Sequence, residues 1–338
     1  MVDSKPPPNL SPIVPPRLPR VELHGSEVQI IPVRLTRLDD GIMNRLLDDL
    51  ERDRTGYAKR VLPVLMHRYP LDFEILEAKA RVYELESDFA GAIPVLQESI
   101  ASFMASLAKI VDQSTAITIP WKFDDNRAFL RTMHMLGMFL WYEAMDEAAI
   151  NQFVALLALD PGDTLGSRYF ILHLAILHDL SDVALAIPRI MGVDGNPESH
   201  LDPKHDQLPG MFFAWGLFHY IKGEQEEARD FFERGIKVHP LIVIALFRHF
   251  LLQFVSSESG FDESSFPAPK VSFADDYVED WVDVWGQHLD ALDYLVELAI
   301  ELNFKVVSEP HEGGPGTGDT FGTGEGIDIP GPDEKEDE

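Results

Sequence analysis

The chain is 338 residues long, 45% hydrophobic and without cysteine, and 57 acidic residues against 28 basic ones leave a formal charge of −29. The length suits two globular domains or one elongated array with tails, and the missing cysteines exclude disulfides, thiolate nucleophiles and cysteine-ligated zinc. So negative a surface repels phosphate backbones and favours basic partners or plain solubility, so no direct binding of nucleic acid is expected. The best apolar stretch, Tyr169–Leu177, is far too short for a membrane span. The N-terminus has no apolar stretch of the secretory kind, and a cytoplasmic or nuclear address is the expectation.

Met1–Arg20 holds seven prolines and reads as an extended polyproline-like arm. Val21–Leu35 alternates loosely, which predicts a short extended segment lying on a helical body, so residues 1–35 form an N-terminal arm. Between 36 and 255 the helical pattern returns at a period of about 34 residues, the period of the tetratricopeptide helix pair. In that pair small residues at the eighth and twentieth places let the two helices approach closely. A large apolar residue follows at the twenty-fourth, and a proline at the thirty-second ends the second helix. Gly137, Ala149, Phe153 and Pro161 occupy these places in Leu130–Asp163, and Gly216, Ala228, Phe232 and Pro240 occupy them in Pro209–Ile242. Ala58, Leu62 and Pro70 fit an earlier unit, Ala80, Ala92 and Leu96 continue it, and Thr164–Pro197 is a degenerate unit counted in the same register. Ser106–Asp125 and Asn196–Leu208 interrupt the series. The fold class is therefore all-α, a tetratricopeptide-like solenoid of helix hairpins with disordered N- and C-terminal tails.

After a helix at Leu241–Val255 and a loop at Ser256–Val271, Ser272 and Asp275 are spaced as a capping box for one long last helix. Trp281, Trp285, His288, Leu292, Leu295, Ala299 and Leu302 fall on one stripe of it, as a C-terminal cap of the solenoid over 256–304 requires. Its other face is acidic: Ala274–Phe304 carries nine acidic residues and no Lys or Arg. Residues 305–338 add ten acids against two lysines and almost no aliphatics, an acidic tail that cannot bury enough surface to fold.

The segment Asn126–Pro161 carries Asn126, Arg127 and Phe129 at its opening, Ala149 at the repeat position, and Leu157, Leu159 and Pro161 at its close. It resembles the helical domain of the transcription factor 25 family, which includes ribosome quality control complex subunit 1. Downstream Ile171, Leu174, Ala175, Leu208-Pro209, Phe213 and His239-Pro240 fit further landmarks, and Tyr69-Pro70 fits upstream, so the likeness covers about Val61–Val255. It departs at Glu143-Ala144-Met145, where the family has Arg-Gly-Cys, at Leu172, which replaces an acid, and in lacking the family's charged, lysine-rich N-terminal region. The resemblance implies a scaffold in ribosome-associated quality control, working beside a ubiquitin ligase on stalled nascent chains.

In such arrays ligands lie against the first helix of each pair, on side chains at the second, fifth, ninth, twelfth and thirteenth places. These are Glu74, Glu77, Arg81 and Glu84 in the second unit, Arg131, His134, Met138, Trp141 and Tyr142 in the third, and Arg168 in the fourth. Arginine and aromatic groups there suit a protein-binding groove, and Arg131 as a free cation would grip an acidic client. Asn126 and Arg127 read as a helix N-cap and structural contacts, Asp39-Asp40 and Asp124-Asp125 as helix caps. His173 and His178 do not share a helical face. His200, Asp202, His205 and Asp206 sit in a polar loop whose composition does not require a metal. Gly322, Gly324 and Gly326 lack the preceding strand a dinucleotide site needs. No catalytic signature is present, so neither enzyme activity nor a cofactor, metal or small-molecule substrate is expected. The partners are other proteins, of the ribosome-associated or ubiquitin-ligase kind if the resemblance holds. The alternatives are an adaptor with an unrelated client and a transcriptional regulator without direct DNA contact.

Overall fold

The computed structural model describes residues 18–111, 116–191, 210–256 and 272–302. The proline-rich arm before residue 18, the loop with His200 and His205, the side chain of Ser272 and the acidic tail lie outside the described residues. A two-stranded hairpin, β1 (Arg20–His24) and β2 (Glu27–Ile31), precedes thirteen α-helices among the described residues. Ten of them form five consecutive hairpins: α1 (Arg37–Leu50) with α2 (Ala58–Arg68), α3 (Phe73–Leu85) with α4 (Phe89–Leu107), and α5 (Arg127–Tyr142) with α6 (Asp146–Leu159). The fourth is α7 (Ser167–Leu177) with α8 (Ser181–Ile190), and the fifth α9 (Met211–Ile221) with α10 (Gln225–Val238). Then come α11 (Pro240–Ser256), α12 (Ser272–Gly286) and α13 (Leu289–Glu301). The chain is thus an all-α solenoid of the tetratricopeptide type.

Each hairpin turns on one left-handed residue: Asp53, Ser87, Ala144, Asp179 and Gly223, with φ of +53°, +53°, +54°, +55° and +76°. Around each, two backbone bonds close the helix end. Ala144 N donates to Trp141 O at 2.8 Å and Met145 N to Leu140 O at 2.8 Å, and the other turns repeat this pair. The repeat positions explain the close approach of the two helices. A Cβ placed on Gly137 would lie 2.6 Å from Cε1 of fully buried Phe153, and one on Gly216 would collide with the Phe232 ring in the same way. Pro161 follows the C-cap of α6, and Pro240 both stops α10 and opens α11.

At α1, α3, α4 and α7 a side chain satisfies a free backbone N–H group at the helix start. The Thr36 hydroxyl accepts from Asp39 N, and Asp39, itself buried, accepts from the Thr36 hydroxyl (2.8 Å), the Tyr69 hydroxyl (2.8 Å) and Arg68 Nη1 (2.7 Å). Asp163 accepts from Ser167 N at 2.6 Å and so fixes the entry to α7.

Two expectations change. The extended segment is a hairpin, because Gly25 at φ +70° permits a two-residue turn. It is fastened by Asn126, which takes the N-cap position of α5 but makes no cap bond with its side chain. Its Oδ1 instead accepts from Ile30 N (2.8 Å), while Nδ2 donates to Val28 O (2.8 Å) and Pro120 O (3.0 Å). The long last helix is two, broken at Gln287-His288. Trp281, Trp285, Leu292 and Leu295 are buried on both sides of the break, which is why the stripe runs through it. The pair packs on α7, α9, α10 and α11.

Candidate functional site

The first helices of the first three hairpins enclose a cleft of about 700 Å³. Eight of the ten groove residues expected from the repeat register line it: Glu74, Glu77, Arg81 and Glu84 on α3, and Arg131, His134, Met138 and Tyr142 on α5. Helix α1 adds Met43, Leu47 and Leu50, and its C-cap residue adds Glu51. The pattern hides these four, because the first unit has Leu46 where Ala80, Gly137 and Gly216 mark the second, third and fifth. The signal was present nonetheless: counting back from Ala58 puts them at the fifth, ninth, twelfth and thirteenth places of that unit.

Trp141 and Arg168 do not line the cleft. Trp141 packs edge-on against Phe170 (5.7 Å) and His173 (5.1 Å) of the next hairpin, so it joins repeats. Arg168 is buried, with Nη1 3.2 Å from Asp163. The cause is register. The left-handed turn residue of the fourth hairpin, Asp179, comes one residue later than the spacing of the third predicts, so one residue has entered between α6 and α7. The fifth place of that unit is therefore Tyr169, which lines a second recess of about 250 Å³ with Phe170, Tyr277, Asp276 and Asp280. His134 borders both recesses, so they continue along one face of the array.

Both cations of the main cleft are already paired with carboxylates. Arg131 binds Glu77 with two parallel bonds, Nε to Oε1 at 2.7 Å and Nη2 to Oε2 at 2.8 Å, which raise the guanidinium pKa further. Arg81 meets Glu84 at 2.7 Å and Asp53 at 3.6 Å. Arg131 is thus not the free cation the sequence suggested. Burial pushes His134 down to about 4, and its Nε2 has no hydrogen-bond partner among the described residues, so it stays neutral near pH 7. Tyr142, half exposed at 53%, has its pKa raised by burial of its hydroxyl and then by the carboxylates of Glu84 and Asp280. Leu47, 42% exposed, projects from the opposite wall. Apolar side chains are thus held partly in water beside a concave, charged rim.

Among the described residues, no group of three or more His, Asp or Glu side chains is placed to hold a metal ion, and no helix is long and apolar enough to cross a membrane. Arg127 stacks over Trp121 and pairs with Asp124 at 2.7 Å, which makes it a structural residue of the α5 entry.

Fold and cleft together define a helical-repeat protein of the tetratricopeptide type. Residues 59–291 match the family described as Tcf25, transcriptional repressor TCF25, and with more than half of its length matched the chain belongs to that family. Among solved structures it is similar to the C-terminal part of a TPR repeat-containing protein from Cytophaga hutchinsonii, with 16% identity and a TM-score of 0.40 over 78% of this chain and 89% of that one. A comparison with curated proteins finds no match.

Proposed function

We propose that this chain is a non-enzymatic helical-repeat scaffold that holds a segment of another protein in the cleft between α1, α3 and α5. The observation that carries this is the convergence of three first helices on one recess with Leu47 and Tyr142 left exposed on its walls. Solvent-exposed apolar groups in a concavity lose water on contact and supply the anchors that dominate interfaces. The family likeness supports a place in ribosome-associated quality control with a ubiquitin ligase, in the cytoplasm. The family's description as a repressor supports a second reading, a nuclear regulator that acts through protein contacts and not by touching DNA.

The test is site-specific photo-crosslinking in cells. A photoreactive residue at Leu47 should capture a discrete set of proteins, and one at Leu185, no less exposed but on α8 outside the cleft, should not. Equal capture at both positions would remove the cleft from consideration. Co-sedimentation with ribosomal subunits then separates the two readings, since only a ribosome-associated scaffold travels with them.

A further inference from the structure

Four carboxylates and two guanidiniums line the main cleft: Glu51, Glu74, Glu77 and Glu84 against Arg81 and Arg131. Both cations are held by carboxylates of their own chain, Arg131 by Glu77 and Arg81 by Glu84. An acidic ligand would have to break the bidentate Arg131–Glu77 pair and leave Glu77 partly desolvated without its counter-charge. That exchange gains little. Glu51 and Glu74 are different. Both are exposed, and neither forms an ion pair among the described residues. The charge that remains available to a ligand in this cleft is therefore negative. The same sign continues past His134, where Asp276 and Asp280 rim the second recess.

The floor between these acids is apolar and pliable. Met43, Met135 and Met138 line it with Leu50 and Phe139, below Leu47. Methionine has three rotatable bonds and a polarizable sulfur, so it moulds to differently shaped apolar side chains without large strain. A pliable apolar floor within an acidic rim fits one kind of segment: apolar side chains to fill the floor, with lysines or arginines beside them to reach the rim.

We infer that the cleft recognises a basic amphipathic segment of a partner protein, with apolar anchors against Met43, Met138 and the Leu47 wall and flanking Lys or Arg side chains on Glu51 and Glu74. This rests on the cleft being the binding site, and it reverses the acidic client suggested by Arg131 alone. Long-range attraction from a chain of formal charge −29 speeds the encounter, and the floor decides which basic segments stay.

The experiment measures binding of three synthetic peptides to the full chain by fluorescence anisotropy. The first is an amphipathic helix of leucine and lysine, the second the same helix with every lysine replaced by glutamate, and the third keeps the lysines but replaces each leucine by serine. The leucine–lysine peptide should bind, the leucine–glutamate peptide should not, and the serine–lysine peptide should bind about tenfold or more weakly. The double variant Glu51→Gln/Glu74→Gln should weaken the first peptide about tenfold. Asp293→Asn/Glu297→Asn removes the same charge from α13 and should leave its affinity within about twofold, since those sites lie outside the cleft. Equal losses in the two double variants would mean that the peptide responds only to net charge, and the inference falls. A leucine–glutamate peptide that binds as well as the leucine–lysine one also overturns it. Leu47→Ser tells that failure from failure of the cleft: if it weakens whichever peptide binds, the cleft stands and only the charge class is wrong. If it weakens none, both readings fail.

Discussion

His134 and His173 show what burial without a partner does to an ionisable side chain. Each packs among aromatic rings, His134 against Phe153 and Phe170, His173 against Trp141 and Trp281. In each ring one buried nitrogen has no hydrogen-bond partner among the described residues. Desolvation pushes both down to about 4 from the ordinary 6.5. A folded-state pKa below the unfolded one means that the unfolded chain takes up protons first. Stability is then full above about pH 6.5 and falls as the pH drops toward 4. By pH 5 each histidine should cost about 2 kcal/mol. Asp72 and Asp163 work the other way. Burial pushes both up to about 6, the second against the pull of Arg168, so their contribution is full at low pH and fades as the pH rises through 6. Because the carboxylates are common to parent and variant, the difference between them isolates the histidines. Melting temperatures of His134→Leu/His173→Leu should decline less steeply than the parent's between pH 7 and pH 5. Parallel curves would mean that both rings find a proton acceptor in the folded state.

Among the elements, the hairpin turns carry the information that the helices do not. The sequence discloses the third and fifth hairpins through small residues facing large ones, as Gly137 faces Phe153 and Gly216 faces Phe232, because those places tolerate so few side chains. It does not disclose the single extra residue between α6 and α7, since a degenerate unit lacks such markers, and the uncorrected register therefore puts Arg168 in the groove. Nor does it disclose that Arg131 and Glu77, 54 residues apart in sequence, neutralise each other. Pairing across hairpins depends on how neighbouring helices are set side by side, which no local spacing encodes. The turn residue itself is testable at Ala144, which holds φ +54° where the resembled family has glycine. A left-handed alanine is strained by its Cβ, whereas glycine is at ease there. Ala144→Gly should raise stability by about 0.5–1 kcal/mol in a urea melt, after the extra entropy of glycine in the unfolded chain is counted. A destabilised variant would show that the turn does not hold the left-handed conformation in solution.

For the whole molecule the decisive element is the last helical pair. A solenoid buries each hairpin against its neighbours, so its end needs a lid whose outer face tolerates water. Helices α12 and α13 have that character. Tyr277, Trp281 and Trp285 are buried, the Trp285 indole N–H donates to the Tyr277 hydroxyl at 3.1 Å, and Trp281 packs edge-on against Tyr169 (5.4 Å) and His173 (4.9 Å) of α7. Arg229 of α10 grips Glu301 at 2.8 and 3.2 Å, and Arg248 of α11 meets Asp275 at 2.6 Å. The exposed acids Glu279, Asp283, Asp290, Asp293 and Glu297 keep the outer side in water. A chain ending at Leu302 retains every one of these contacts and should melt with the parent. A chain ending at Ser256 uncovers the faces of α7, α10 and α11, and loses three large aromatic side chains worth about 1.5–3 kcal/mol each in burial alone. At roughly 2–4 °C per kcal/mol, its melting temperature should fall by more than about 10 °C, and the exposed apolar face should bind a hydrophobic dye. If the two truncations melt within about 2 °C of each other, α12 and α13 are not the lid of the array. Their acidic face would then be the next surface to examine for a basic partner.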